Sequence, residues 1–445
     1  MNYNERLQHV SVLGAAGKMG SGILLLSALE MTDLRLKTKA ADGFFVLNAI
    51  DVSNQALNNL SDYIRAQALK TAEKKLDWLK ELWAENKNLL SDADFMQAYA
   101  FEVLKTIRNT TRLETAYDST LIFEAVSENR SLKVKIFKQI DQNNPHKAWF
   151  FTNTSSIPIG EIEKEAELLG RVVGFHFYNP PAIQKLVELI LTPNTSTEAK
   201  EFALQLAANM KKIVIESNDY AGFIGNGHFM RDALYAIEKA QALRSQMPLY
   251  QAIYVVNKIS EEYLIRPMGI FQLIDYVGID VVQFIMNVMN PYLANENLHS
   301  ELLDKMMELQ LKGGQFSDGS QKNGFFTYIK GKPSSVYCTK TGQYIAFEQF
   351  AETCNQWLGE FPVSLASWKE INFSKNKHEL LTIYFADLVS MSNQGAELAK
   401  EYHKKSCEIA KFLVTSGVAK SNNDVNSVML TGFYHACPPI NTFLE

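Results

Sequence analysis

An α/β domain built on a parallel sheet, followed by all-helical domains, is the fold class this sequence predicts. Three observations carry the expectation. A short apolar strand, His9-Val10-Ser11-Val12-Leu13, runs straight into a glycine cluster and then into a helical stretch. A strand–turn–helix–strand pattern occupies Trp149 to Ile190. Beyond about residue 226 the apolar positions recur at helical spacing.

Length and composition set the bounds. At 445 residues the chain is long enough for two or three domains. With 47% hydrophobic and 21% charged residues it reads as an ordinary globular protein. A net charge of −5 and the lack of a long Lys/Arg run argue against nucleic acid as a partner. The four cysteines, Cys338, Cys354, Cys407 and Cys437, lie far apart without a CxxC pair, so neither a zinc site nor a disulfide framework is indicated. The first residues, MNYNERLQHV, carry no signal-peptide core, and no apolar run reaches the ~18 residues of a membrane span. The expectation is a chain of the reducing cytoplasm with no membrane span.

Taken in order, the glycine cluster Gly14-Ala15-Ala16-Gly17-Lys18-Met19-Gly20 stands at a strand-to-helix turn. There the backbone can approach a pyrophosphate, which then rests on the helix N-terminus, as in a Rossmann-like β-α-β unit. The spacing is GxxGxxG, one residue longer than the usual GxGxxG. The next strand, Phe44 to Ile50, ends in Asp51, whose carboxylate suits ribose hydroxyls and repels a 2′-phosphate, favouring NAD over NADP. Residues Met31 to Gly43 read as an insertion between helix and strand. Asn54 to about Asn86 reads as one long Lys-rich helix, with Lys70 and Lys74 on one face. Leu121-Ile122-Phe123 is a strand that carries Glu124 to Asn129 to the crevice at its carboxyl end.

The stretch from Trp149 to Ile190 holds the chemistry. Its first strand ends in the polar turn Asn153-Thr154-Ser155-Ser156, and a helix follows from about Pro158 to Leu168. A second strand, Arg171 to Phe177, carries His176 near its end before the breaker Asn179-Pro180-Pro181, and Lys185 to Ile190 brings back Glu188. A lone histidine on such a strand is more often a core residue. A Ser, a His and a Glu at the ends of neighbouring strands instead converge on one crevice. The unit is expected to close near Ser217.

NTSS, GFHFYNPP and KLVEL, in this order and spacing, resemble the signature of the NAD-dependent L-3-hydroxyacyl-CoA dehydrogenases, NTSSL…GxHFFNPxPxMxLVE. GKMG resembles the GTMG of that family, although the whole GAAGKMG string also resembles the loop of dihydrodipicolinate reductases. The resemblance covers roughly residues 8 to 330. It implies NAD as cofactor and an acyl-CoA as substrate. His176 is implied as general base, oriented by Glu188, with Ser155 and Asn226 holding the substrate. It places Gly14, Gly17, Lys18, Met19, Gly20, Asp51, Glu128, Lys133, Ser155 and Asn179 around the cofactor, and Gln67 and Lys74 against the CoA. No metal is implied.

Asp219 to Asn226 resembles the DxPGFIxNR segment that opens the all-α second domain of that family, which is 6-phosphogluconate-dehydrogenase-C-terminal-like; Gly227 stands where the arginine is usual. Gly331-Lys332-Pro333-Ser334-Ser335 reads as a linker. Gly417 to Pro439 resembles the GVAxxxDIDxAMxxGFGxPMGP run of the same helical domain. The expected organisation is therefore 1–217 NAD-binding with a helical CoA-binding arm, 218–330 all-α, and 331–445 a second, diverged all-α copy. Such a copy could cover the face through which single-copy members pair, so the expected state is a monomer with an internal pseudo-dimer, the alternative being a homodimer. The implied reaction is oxidation of (S)-3-hydroxyacyl-CoA to 3-oxoacyl-CoA, as in fatty-acid β-oxidation, with hydratase and thiolase as separate partners. Two other readings are a dehydrogenase of a small 3-hydroxy acid or another carrier, and a non-catalytic NAD-binding component of a β-oxidation complex.

Overall fold

The computed structural model describes residues 1–38, 45–316 and 319–444. The chain divides into two compact units, Met1–Asp219 and Tyr220–Glu445.

The first unit is built on strands β1 (His9–Leu13), β2 (Val46–Ile50), β3 (Ile107–Thr110), β4 (Leu121–Glu124), β5 (Trp149–Thr152), β6 (Val172–Phe177), β7 (Leu186–Ile190) and β8 (Ile213–Ser217). They form one sheet in the order β3-β2-β1-β4-β5-β6-β7-β8. The pairs from β3 through to β6 are parallel; β7 runs antiparallel to β6, and β8 parallel to β7. Strands β2, β4, β6 and β7 are buried along their whole length. A sheet covered on both faces leaves no solvent side, which is why these strands read as continuous apolar runs rather than alternating ones. Phe123, Phe151, Phe175 and Phe177 stack and edge onto one another across β4, β5 and β6.

Two expectations in this unit need correction. The segment after Met31 continues the helix, which spans Lys18–Thr38; the rest of the expected insertion, residues 39–43, and Phe44 lie outside the described residues. The long helix expected over 54–86 is two helices, Asn54–Glu73 and Leu76–Leu82. The chain turns at Lys74 and Lys75 so that Leu79 is buried and Trp78 meets Tyr99 edge-on, 6.5 Å between ring centres. Lys75 fastens the corner by donating to Asp33 and to the Tyr99 hydroxyl. Packing against helix Asp92–Thr106 outweighs the Lys/Ala/Leu propensity for one unbroken helix.

The second unit is helical, with a small antiparallel sheet of β9 (Phe326–Ile329), β10 (Lys332–Cys338) and β11 (Gln343–Ala346). The stretch expected as a linker is thus a tight turn and a strand. Lys330 and Gly331 take positive φ, and Val336, Tyr337 and Cys338 are buried. Asp275 anchors the sheet's start, accepting from the backbone N–H of Phe325 (2.7 Å) and Phe326 (2.9 Å) and from the Tyr328 hydroxyl (2.8 Å). One hydrophobic core draws on both halves of the unit, from Phe229 and Met230 to Tyr384, Phe385 and Tyr402. Helix Gln394–Thr415 packs on helix Gly225–Ala242, with Tyr235 edge-on to Tyr402 and the His228 Nε2 3.3 Å from the Ser406 carbonyl. A Cβ on Gly227 would lie 3.0 Å from Leu413 Cδ2. The close approach of that helix is a physical reason for glycine where the resembling pattern has arginine.

Candidate active site

The glycine turn joins β1 to helix Lys18–Thr38. Gly14 takes φ +73°, and a Cβ there would meet the Ala125 carbonyl oxygen at 2.6 Å. Gly20 is tighter, since its Cβ would fall 2.0 Å from the Gly14 carbonyl oxygen. The turn is therefore packed to the point where only hydrogen fits at these two positions. Gly17 and Lys18 are exposed at the helix start and Met19 is half-buried. Asp51, one residue past β2, accepts from the Ala16 N–H at 3.0 Å through Oδ2. Ala16 belongs to the longer GxxGxxG spacing, so the carboxylate expected at the ribose also holds the lengthened loop. Helix Lys18–Thr38 then meets the Asn179-Pro180-Pro181 turn at Gly22, where a Cβ would touch Pro181 at 2.9 Å. The Lys212 ammonium, brought down to about 8 by burial, donates to the Pro181 (2.5 Å) and Gln184 (2.6 Å) carbonyls and fastens that turn to the β8 side. Asn179 Oδ1 is buried with no hydrogen-bond partner among the described residues.

Beneath the Asn153–Ser156 turn lies a charged network. Lys133 is 1% exposed, with its ammonium 2.7 Å from Glu124 Oε1 and 3.2 Å from Glu128 Oε2. Desolvation works against its charge, but the two carboxylates override this and raise it above the ordinary lysine value. Glu124, the last residue of β4, also accepts from Thr152 Oγ1 (2.5 Å) and the Val126 N–H (2.8 Å). One oxygen of Glu128 collects the Ser155 and Ser156 N–H groups at 3.0 and 3.2 Å and the Ser156 hydroxyl at 2.8 Å. Burial pushes Glu128 up, while Lys133 and these donors pull it down to a net value below the usual carboxylate range. In this structure Glu128 holds the turn that carries Ser155, and Lys133 pairs with Glu128 and Glu124. Asn153 completes the support, its Oδ1 accepting from the Phe177 N–H at 2.8 Å, next in chain to His176.

His176 and Glu188 are direct partners in the antiparallel β6–β7 register. Both side chains sit on the same face, with His176 Nδ1 3.4 Å from Glu188 Oε1. Glu188 is fully buried, and the His176 side chain keeps 10% of its surface. Tyr178, which the sequence reading did not single out, donates its hydroxyl to the same Glu188 Oε1 at 2.7 Å. Burial, with Glu188 next, pushes this phenol well above its ordinary value, so it stays a donor. The signal was a phenol two residues past the histidine, where the resembling pattern has Phe.

The remaining expected site residues lie on other elements. On the arm, Gln67 is half-buried and Lys74 exposed; adjacent Lys75 is the one tied into structure. Asn226 belongs to the second unit, at the start of helix Gly225–Ala242. Among the described residues there is no metal-binding cluster, and no single helix is long and apolar enough to cross a membrane.

Comparison with known proteins gives the arrangement a family. Residues 9–220 match the family model of the 3-hydroxyacyl-CoA dehydrogenase NAD binding domain, and residues 222–323 that of its C-terminal domain. The chain is 29% identical over 331 residues to a probable 3-hydroxybutyryl-CoA dehydrogenase of Bacillus subtilis, covering 72% of this chain and 98% of that protein. It is 30% identical to the human mitochondrial hydroxyacyl-coenzyme A dehydrogenase, covering 71% and 91% respectively. The fold of a 3-hydroxybutyryl-CoA dehydrogenase from Escherichia coli is similar over 98% of this chain and 90% of that one, with TM-score 0.63 at 19% identity. The chain belongs to the 3-hydroxyacyl-CoA dehydrogenase family.

Proposed function

We propose that this protein oxidises (S)-3-hydroxyacyl-CoA to 3-oxoacyl-CoA with NAD, His176 acting as general base and Glu188 as its orienting partner. The observation that carries this reading is the His176–Glu188 pair, set face to face by strand register and walled off from water on all but a small window. Imidazole titrates near working pH, which suits it to take the proton of the C3 hydroxyl. Glu188 beside Nδ1 fixes the tautomer, leaves Nε2 to meet the substrate, and stabilises the imidazolium as it forms.

The residues present fit a dinucleotide. The glycine turn that no Cβ could enter lets the backbone approach a pyrophosphate at the start of helix Lys18–Thr38. Asp51 stands at the end of β2 for the ribose, and the buried Asn179 Oδ1 is an acceptor that an amide donor would satisfy. When bound, NAD supplies the hydride acceptor. Ser155 and Asn226 are assigned to hold the substrate oxygen, and Gln67 and Lys74 to meet the CoA phosphates.

We also read the helices of residues 331–445 that follow β10 and β11 as a diverged second copy of the helical domain, paired with the first inside one chain. The shared core and the Gly227–Leu413 approach support this. A cytoplasmic site of action with separate hydratase and thiolase partners completes the reading.

The test is absorbance at 340 nm with acetoacetyl-CoA and NADH, repeated with NADPH and with free acetoacetate. The expected result is rapid oxidation with NADH and the thioester alone. Equal turnover of the free acid would overturn the acyl-CoA assignment, and loss of all turnover with cofactor binding intact would overturn the dehydrogenase reading.

A further inference from the structure

The resembling pattern reads HFFNP where this chain reads His176-Phe177-Tyr178-Asn179-Pro180, so one phenol oxygen is added beside the catalytic pair. That oxygen is not spent on solvent. It lies 2.7 Å from Glu188 Oε1, the oxygen that also faces His176 Nδ1 at 3.4 Å. The Tyr178 and His176 rings are 5.0 Å apart between centres, tilted by 41°. Glu188 is wholly buried, so a hydrogen bond to it acts in a low dielectric and carries more weight than at a surface. The phenol is hydrogen-bonded to the shared oxygen, and the imidazole Nδ1 stands 3.4 Å from it.

We propose that Tyr178 is a positioning residue for the His176–Glu188 pair, its phenol sharing the carboxylate oxygen that faces the imidazole and so setting how much negative charge that oxygen presents. This rests on the reading of His176 as general base. A carboxylate that already accepts a strong donor holds an imidazolium less tightly. The proton then leaves His176 more readily, and the neutral base is present at lower pH.

Opposite Glu188 on its other side, β8 offers uncharged Ile215. Helix Ile159–Ala166 reaches β6 through Ile159 at Gly174. That helix directs its carboxylates elsewhere, with Glu163 accepting from Thr192 and Asn194, and Glu161 and Glu165 meeting Arg130.

The experiment compares wild type with Tyr178→Phe, which keeps the ring and matches the resembling pattern. Two quantities are read on the full chain. One is the NMR titration of the His176 ring, assigned by its loss in His176→Gln. The other is the pH profile of kcat/KM for 3-hydroxybutyryl-CoA oxidation. Tyr178→Phe should move both the ring titration and the acid limb to higher pH by about 0.5–1 unit, lowering kcat/KM roughly three- to tenfold at a pH below the wild-type limb. In a Glu188→Gln background the same substitution should move the ring titration by less than about 0.2 unit, because the shared charge is gone. An unmoved ring titration in Tyr178→Phe, or an equal shift in both backgrounds, would overturn the proposal. A moved titration in a protein with no acyl-CoA turnover would overturn the functional reading alone.

Discussion

Lys133→Met separates a supporting role for this side chain from a direct role at the cofactor. The ammonium is 1% exposed and lies between Glu124, itself fully buried, and Glu128. Methionine fills a similar volume but leaves two carboxylates facing each other without a cation. Removing one partner of a buried ion pair costs about 3–5 kcal/mol. At about 2–4 °C per kcal/mol for a unit of this size, the melting temperature of the sheet-bearing unit should fall by roughly 6–20 °C. The pH dependence follows in sign. Burial opposes the charge on Glu128, but Lys133 and the turn's donors hold it below the usual range. Its stabilisation is therefore complete above its unfolded value and is lost as pH falls through the lower folded value. The deficit of Lys133→Met should be widest near neutrality and should narrow on acidification toward about pH 4. Circular dichroism melts of both proteins across this range measure it. A neutral-pH melting temperature within about 2 °C of wild type would refute the account of Lys133 as the support beneath the Ser155 turn.

Three further outcomes follow from other parts of the molecule. Gly20→Ala places a Cβ 2.0 Å from the Gly14 carbonyl oxygen, so NADH affinity read by fluorescence titration should drop at least about tenfold; binding within about twofold would contradict the packed turn. In the second unit, burial pushes His228 and His403 down to about 4. The unfolded chain binds their protons first, so each weakens folding by ~1.4 kcal/mol per pH unit below 6.5, or about 4 kcal/mol together at pH 5; urea melts at pH 7 and 5 should show that loss. If residues 331–445 are, as proposed, a second helical copy that covers the first, sedimentation should give the mass of one chain. A mass of two chains, lost on truncation within 344–445, would oppose it.

Much of the first unit was legible because its signals are local. The β1 strand and glycine turn, the β5 and β6 strands and the turns after them are each announced by residue type within a few positions. The His176–Glu188 pairing needed the antiparallel register of β7, which sequence alone suggests only through the family's spacing. What was missed is what depends on distant partners. The arm breaks at Lys75 because Asp33 and Tyr99 lie there, and Gly331–Ser335 becomes strand because Asp275 fixes the backbone at Phe325 and Phe326. Tyr178 sat in plain view within a quoted motif, but its value depends on a carboxylate ten residues away.

The central claim is that His176 carries the proton transfer. Turnover of acetoacetyl-CoA with NADH at 340 nm, for wild type against His176→Gln, addresses it most directly, with NADH affinity measured on the same samples. The account predicts a fall in kcat of about two orders of magnitude or more, with NADH binding nearly intact. Turnover within about threefold of wild type would contradict it.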